Sequence, residues 1–113
     1  IPLRLVGSEM CIETAFLRLA LIRAGLPEPE LQVAVDPADP ASPVVDLGYR
    51  GARLALQYDG AGHRTAQQQA RDARRDAYCL EREWTTLRCT WEDQRAGFGR
   101  IVGLVRRRLA RTR

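Results

Sequence analysis

The sequence predicts an α/β sandwich in which helices flank a central mixed β-sheet. Helix-like and strand-like segments follow one another in the order helix, strands, helix, strand, helix. Two of the strand-like runs flank a short turn, which predicts an antiparallel pair, and a long helix joins the second run to a later strand. That connection is a βαβ unit, so its two strands are expected to be parallel and its crossover right-handed.

Size and composition predict one domain without a membrane span. The chain has 113 residues, of which 45% are hydrophobic and 28% charged, as is ordinary for a globular protein. It has no run of about 20 apolar residues and no signal-peptide pattern. Three cysteines without metal-binding spacing predict reduced thiols and a cytoplasmic location. The start at Ile1, without methionine, is compatible with the C-terminal part of a longer protein.

The charge of the chain is divided unevenly between its two halves. All 18 basic side chains are arginine. Residues 1–60 hold 5 Arg and 8 acidic residues, a net charge of −3, whereas residues 61–113 hold 13 Arg and 6 acidic residues, a net charge of +7. An acidic half that could hold a cation, joined to a basic half, suits a partner with a phosphate backbone. The alternative is that the arginines form solvated helix faces and reflect base composition alone.

The first helix is predicted over residues 8–24, because Ser8 can cap its start and Gly25 can end it. Its apolar face is expected to comprise Ile12, Ala15, Phe16, Leu19 and Ile22. The following loop is rich in proline and aspartate, and within it the segment LQVAV at 31–35 is predicted to be a short edge strand.

Residues 44–47 and 52–58 are predicted to pair in an antiparallel manner across the turn GYRG. Because side chains alternate along a strand, Gln57 and Asp59 point to the same face. Asp46 can reach that face if the register of the pair allows it.

The second half of the chain predicts two helices and a strand. A helix capped by Thr65 should run to about residue 83 and pack on the sheet through a stripe of mostly small residues: Ala66, Ala70, Ala73, Ala77 and Leu80. The strand at 84–91 is expected to place Trp91 in the core. The last helix, about 98–110, is expected to bury Phe98, Ile101, Val102, Val105 and Leu109.

Polar side chains gather near the ends of the predicted strand pair. Asp46, Gln57, Asp59 and His63, the one histidine of the chain, could be brought together there. Hard divalent cations prefer oxygen ligands, so a metal site is one interpretation. The other is a β-hairpin in which the Asp-Gly step is only a turn. The residues by themselves leave both interpretations open.

Two motifs follow one another in this region. The pattern D-x10-Q-x-D-G-x2-H runs from Asp46 to His63, and R-D-x-x-R runs from Arg71 to Arg75. With the flanking helix and strand segments, they resemble the DUF559 family, which is related to the very-short-patch-repair (Vsr) endonucleases of the restriction-endonuclease-like superfamily. The resemblance covers nearly the whole chain. It implies a restriction-endonuclease-like core of order αβββαβ and a DNA endonuclease that uses Mg²⁺ or Mn²⁺.

The resemblance also implies roles for individual residues. Asp46 matches the metal-binding aspartate, assisted by Gln57 or by the backbone of Tyr58. Asp59 matches the aspartate of the family pattern E-x-D-G, and His63 matches the histidine after it, with a role as general base. Gln57 departs from the family, which has glutamate there, and the loss of one carboxylate weakens a divalent site.

Residues outside this motif complete the implied site. Glu13 on the first helix matches a glutamate that often joins the site. The lysine of the wider superfamily cannot exist here, because the chain has none, and Asp59 takes its place. Contacts to the DNA backbone are expected from the arginines after the motif: Arg64, Arg71, Arg74 and Arg75.

The expected function is therefore Mg²⁺-dependent hydrolysis of DNA phosphodiesters, by a homodimer or by a domain fused to a DNA-binding head. One alternative is a catalytically inactive nuclease fold that serves as a DNA-binding or protein-interaction module, which Gln57 favours. Another is an accessory domain of a toxin–antitoxin or mobile-element protein whose partner supplies the activity.

Overall fold

The computed structural model describes residues 12–59 and 65–112. The elements in chain order are α1 (Ile12–Arg23), β1 (Glu30–Ala34), β2 (Val44–Tyr49), a 3₁₀ turn (Arg50–Ala52), β3 (Leu54–Tyr58), α2 (Ala66–Glu81), β4 (Thr85–Cys89), α3 (Trp91–Arg95) and α4 (Gly99–Arg111). The four strands form one sheet in the order β1-β2-β3-β4, with β1–β2 and β2–β3 antiparallel and β3–β4 parallel. The predicted α/β class, the mixed sheet with flanking helices and the parallel βαβ unit are confirmed. Within the described ranges, no helix is long and apolar enough to span a membrane.

The sheet separates two groups of buried side chains. On one face, Leu54 and Leu56 of β3 pack with Leu21 of α1 and with Ile101 and Val105 of α4. On the other face, apolar contacts join the sheet to α2 and to the start of β4, through Val33, Val45, Ala55, Cys79 and Trp84. The alternation of Leu54, Ala55 and Leu56 between the two groups is the period of two expected for a strand buried on both faces.

The turn between β2 and β3 lies later than predicted. Strand β2 continues through Gly48 and Tyr49, and the chain turns at Arg50–Ala52, with Arg53 in the left-handed region at φ 50°. A Cβ on Gly48 would lie 3.2 Å from the carbonyl oxygen of Leu54 and 3.3 Å from Val33 Cγ2. Glycine at position 48 therefore allows the neighbouring strands to approach closely, a role of glycine inside sheets rather than in turns.

The predicted apolar face of α1 is wrong. Leu17 and Leu21 enter the core, whereas Ile12, Phe16, Leu19 and Ile22 are exposed, and Ala15 alone of the predicted set is buried. Apolar residues occur all round this helix, so their spacing is compatible with more than one inward face. The contacts offered by the sheet and α4 decide between those faces.

The predicted packing stripe of α2 is also wrong. Ala66, Ala70, Ala73, Ala77 and Leu80 are exposed, and the buried side chain of this helix is Cys79. The other half-buried side chains on this side of the helix include charged ones. Arg75 pairs with Asp72 within the helix, and Asp76 pairs with Arg88 of β4. The helix begins as predicted, because the Thr65 hydroxyl accepts the N–H of Gln68 and the Gln68 side chain accepts the N–H of Thr65 in a capping box.

Strand β4 ends before Trp91, which begins the short helix α3. The Trp91 side chain is 57% exposed and is stacked by the Arg95 guanidinium 4.8 Å from its ring centre, so the prediction of a core tryptophan is wrong. Thr90 interrupts the strand because its hydroxyl caps α3 by accepting the Asp93 N–H. The prediction for the last helix is confirmed, since Phe98, Ile101 and Val105 are buried and Val102 and Leu109 pack against them.

One charged pair joins α3 to α4. Both carboxylate oxygens of Asp93 accept hydrogen bonds from Arg100, at 2.8 Å from Nε and 2.7 Å from Nη2. Asp93 also accepts the backbone N–H of Thr90. These bonds, with Arg100 contributing most, lower the pKa of Asp93 to about 2.

We expect the two faces of α1 to differ sharply in their contribution to stability. Leu21→Ala should lower the free energy of unfolding by about 2–5 kcal/mol, because it leaves a cavity in the core. Leu19→Ala, two residues earlier on the outward face, should change it by about 0.5 kcal/mol. Urea denaturation of both variants measures this. Equal losses would contradict the orientation of α1.

The Asp93–Arg100 pair should give the protein an acid-sensitive component of stability. Because the folded-state pKa of Asp93 lies below the ordinary value of 3.8, the pair stabilises the fold above about pH 4 and is lost as pH falls towards 2. Asp93→Asn should cost about 1 kcal/mol at pH 7, since solvent around the 56%-exposed Arg100 screens the pair, and the cost should shrink towards pH 2. Arg100→Gln should add little to Asp93→Asn in a double-mutant cycle; additive losses would show that the two groups act separately.

Candidate active site

A cavity of about 210 Å³ opens where β2 begins and β3 ends, beside α2 and β4. Its described lining residues are Asp46, Gln57, Tyr58, Asp59, Asp72, Arg75 and Arg88. The structure therefore brings together four of the predicted site positions, Asp46, Gln57, Tyr58 and Asp59, with the predicted Arg75. We call this cavity the cleft.

The backbone around Asp46 departs from regular sheet pairing. The ladder between β1 and β2 pairs Leu31 with Leu47 and Val33 with Val45, but it skips the step between Gln32 and Asp46. Gln32 has a left-handed backbone, with φ 52°, which is rare for a residue other than glycine. The ladder between β2 and β3 ends at the pair of Leu47 with Leu56. At Asp46, the pairing with β1 is therefore interrupted for one step, and the pairing with β3 has already ended.

Side chains take over the hydrogen bonds that the ladder no longer makes. The backbone N–H of Asp46 donates to Gln57 Oε1 at 2.9 Å, and the N–H of Tyr58 points to Asp46 Oδ2 at 3.5 Å. Gln57 is only 4% exposed, so its amide is fixed by packing as well as by this bond. Gln57 and Tyr58 therefore hold Asp46 in place from the neighbouring strand.

Opposing effects act on the carboxyl group of Asp46. Burial raises its pKa, because a charged carboxylate is poorly solvated there, while the Tyr58 N–H and the positive charge of Arg75 act in the opposite direction. Burial is the largest effect, and the pKa remains raised. A carboxylate in this setting gains from any additional positive charge placed beside it.

Asp59 reaches the cleft through the parallel pairing of β3 with β4. Its backbone N–H donates to the carbonyl oxygen of Cys89 at 2.7 Å, one step beyond the end of β3. The strand alternation then carries the Asp59 side chain to the same side as Gln57, as the sequence predicted.

Two arginines contribute positive charge to the cleft. Arg75 Nη2 donates to Asp72 at 2.7 Å, and Arg88 Nη2 donates to Asp76 at 2.6 Å. The hydrogen bond that Arg88 donates to Asp76 raises the pKa of Arg88 above its ordinary value. Sequence reasoning missed Arg88 and Asp72 as cleft residues. The alternation of side chains puts Arg88 on the same face as Trp84, which packs with Cys79 of α2, and this was the available signal for Arg88.

The remaining predicted residues lie elsewhere. Glu13 is half-buried in the first turn of α1 and does not line the cleft. Arg71 and Arg74 are exposed on α2 next to Arg75, and His63 and Arg64 lie outside the described residues. Among the residues that the structure describes, no group of three or more His, Cys, Asp or Glu side chains is arranged to hold a metal ion.

Comparison with known proteins returns no relative. The chain matches no protein-family model, no curated protein and no solved structure.

Gln57 can be tested as the residue that holds the backbone of Asp46. Gln57→Leu should lower the free energy of unfolding by about 1–3 kcal/mol, because it removes the acceptor of the Asp46 N–H. Gln57→Glu keeps an acceptor but places a second carboxylate beside Asp46. Like charges raise the pKa of a carboxyl group in the folded state, so this variant should gain stability relative to wild type as pH falls from 8 to 5.

Chemical denaturation at pH 8 and pH 5 measures both variants. The gap between Gln57→Leu and wild type should be nearly the same at the two pH values, because leucine adds no titrating group. If Gln57→Leu is as stable as wild type, the hydrogen bond from the Asp46 N–H contributes nothing to the free energy of unfolding.

Proposed function

We propose that the protein is a Mg²⁺-dependent DNA endonuclease that hydrolyses phosphodiesters, with Mn²⁺ as an alternative cofactor. The observation that carries this proposal is that Asp46 and Asp59 line one cleft together with Arg75 and Arg88. Phosphodiester hydrolysis needs oxygen donors for a cation and positive charge for the phosphate, and the cleft offers both. The strand order, the αβββαβ element order and the resemblance to the DUF559 family support a restriction-endonuclease-like core. Under this proposal the partner is DNA, and the expected location is the cytoplasm.

The donors in the cleft fit a magnesium ion. Mg²⁺ is commonly bound by one or two carboxylates together with substrate phosphate oxygens. Asp46 and Asp59 provide the carboxylates, and the amide oxygen of Gln57 or the carbonyl oxygen of Tyr58 would complete the set. When bound, the ion would supply Lewis-acid stabilisation of the phosphate and a lower pKa for an attacking water.

The chain's own residues would bind and orient the substrate. Arg75 and Arg88 would offset phosphate charge, and their positions are fixed by Asp72 and Asp76. Arg71 and Arg74, with Arg64, would contact the DNA backbone, since exposed arginines beside a cleft attract phosphate. His63 would take a proton from the attacking water, a role that suits an imidazole near neutral pH.

A plasmid-cleavage assay tests the proposal. Supercoiled DNA incubated with the protein and Mg²⁺ or Mn²⁺ should be nicked, and EDTA should stop the reaction. Asp46→Asn should reduce the rate by at least about 100-fold, because it removes the carboxylate at the centre of the site. Glu92→Gln, which removes an exposed carboxylate in α3, is the matched control and should cleave like wild type. The proposal is refuted if wild type does not cleave the plasmid, or if Asp46→Asn cleaves it as fast as wild type does.

Gln57 favours a second candidate function, a nuclease fold that binds DNA or a protein partner without turnover. Its uncharged amide stands where the resembling family has glutamate, and its oxygen accepts the Asp46 N–H. This candidate requires binding that persists in EDTA, weakens with salt and leads to no cleavage by wild type. Cleavage gained by Gln57→Glu would then identify the missing carboxylate as the cause.

A further inference from the structure

A second cavity, of about 610 Å³, lies beside the cleft between α2 and the start of β2. Arg75 lines both cavities, so they adjoin at this side chain. A substrate whose phosphate lies in the cleft would therefore extend past Arg75 into the second cavity, which we call the groove.

Positive charge dominates the polar part of the groove. Among its described lining residues are Arg71, Arg74 and Arg75, against the single carboxylate of Glu81. Arg71 and Arg74 are exposed, and within the described residues neither appears in a salt bridge. A polyanion is the ligand that this excess of guanidinium groups complements.

The rest of the groove is apolar. Pro43, Val44, Ala77 and Tyr78 contribute to its lining, and Val44 is 47% exposed although it lies in a strand. Phosphate contacts alone do not require such a surface. An apolar lining between arginines instead offers contact area for the flat face of a nucleobase, as in proteins that bind single strands.

The aromatic side chain of the groove is held in position. The Arg82 guanidinium stacks on the Tyr78 ring at 3.5 Å from its centre, and the Tyr78 hydroxyl donates to Asp39 at 2.5 Å. These contacts fix the ring before any ligand arrives, so little side-chain entropy is lost on binding.

We propose that the groove binds an unpaired nucleotide of single-stranded DNA next to the cleft. In a duplex the bases are stacked and paired, so their faces cannot reach an apolar lining, whereas an unpaired base can. The inference rests on the proposed function for the choice of DNA as the polymer. It adds the substrate class, which is DNA with a single-stranded segment or end.

Binding can be measured without turnover, which separates this inference from the proposed function. The probes are a fluorescein-labelled 12-nucleotide oligo-dT and a 12-base-pair duplex of mixed sequence, followed by fluorescence anisotropy in EDTA at several salt concentrations. Wild type should bind the single strand at least about tenfold more tightly than the duplex. Equal affinity, or preference for the duplex, would overturn the inference even if the protein cleaves DNA.

Two pairs of variants assign the binding to the groove. Ala77→Trp fills the groove without changing charge and should weaken oligo-dT binding about tenfold while leaving duplex binding unchanged. Ala110→Trp, the same change at an exposed position of α4, should bind like wild type. Joint replacement of Arg71 and Arg74 by Glu should weaken binding and flatten its salt dependence more than the same replacement of the exposed Arg107 and Arg111.

Circular dichroism establishes that each variant is folded. If Ala77→Trp binds oligo-dT as tightly as Ala110→Trp does, the assignment of single-strand binding to the groove is wrong. If wild type binds oligo-dT as expected but does not cleave the plasmid, the proposed endonuclease function is wrong, whereas the inference about the groove stands.

Discussion

The hydrogen bond from the Asp46 N–H to Gln57 is the interaction on which the cleft depends. The left-handed backbone of Gln32 breaks the pairing of β1 with β2 opposite Asp46, and the pairing of β2 with β3 ends one residue away. A backbone N–H left without an acceptor at this depth would cost about 1–3 kcal/mol, and the Gln57 side chain supplies that acceptor. Once the two strands diverge there, the Asp46 carboxyl group and the Tyr58 N–H can face the same space.

The contact between α2 and the sheet is apolar at one end and charged at the other. Cys79 and Trp84 pack with Ala55, while Arg75 and Arg88 each meet an aspartate near the cleft. Partly buried ion pairs add little net stability, but removing one partner leaves a charge that has lost most of its solvent. The pair of Arg88 with Asp76 joins β4 to α2 and helps to hold the helix in an orientation in which its alanines face outward, whereas Arg75 and Asp72 pair within the helix.

Apart from the short helix α3, the order of elements and the shared face of Gln57 and Asp59 could be predicted from the sequence, because strand alternation and helix caps are local patterns. Gln57 and Asp59 reached one side as expected, and Thr65 capped α2. The inward face of α1 could not be predicted, since apolar residues surround that helix and distant contacts select Leu17 and Leu21. Nor could Arg88 in the cleft be predicted, because its position depends on Asp76 of α2 and on the pairing of β4 with β3. No local pattern in the sequence signals the left-handed conformation of Gln32.

The positive charge around the cleft is carried by guanidinium groups alone. A guanidinium keeps its proton at any pH that proteins tolerate, and the hydrogen bond that Arg88 donates to Asp76 raises the pKa of Arg88 further. Lysine acetylation, which cells use to cancel charge on many DNA-facing surfaces, has no target side chain in this sequence. The electrostatics of this surface can still be changed through its aspartates, through salt or through a bound partner.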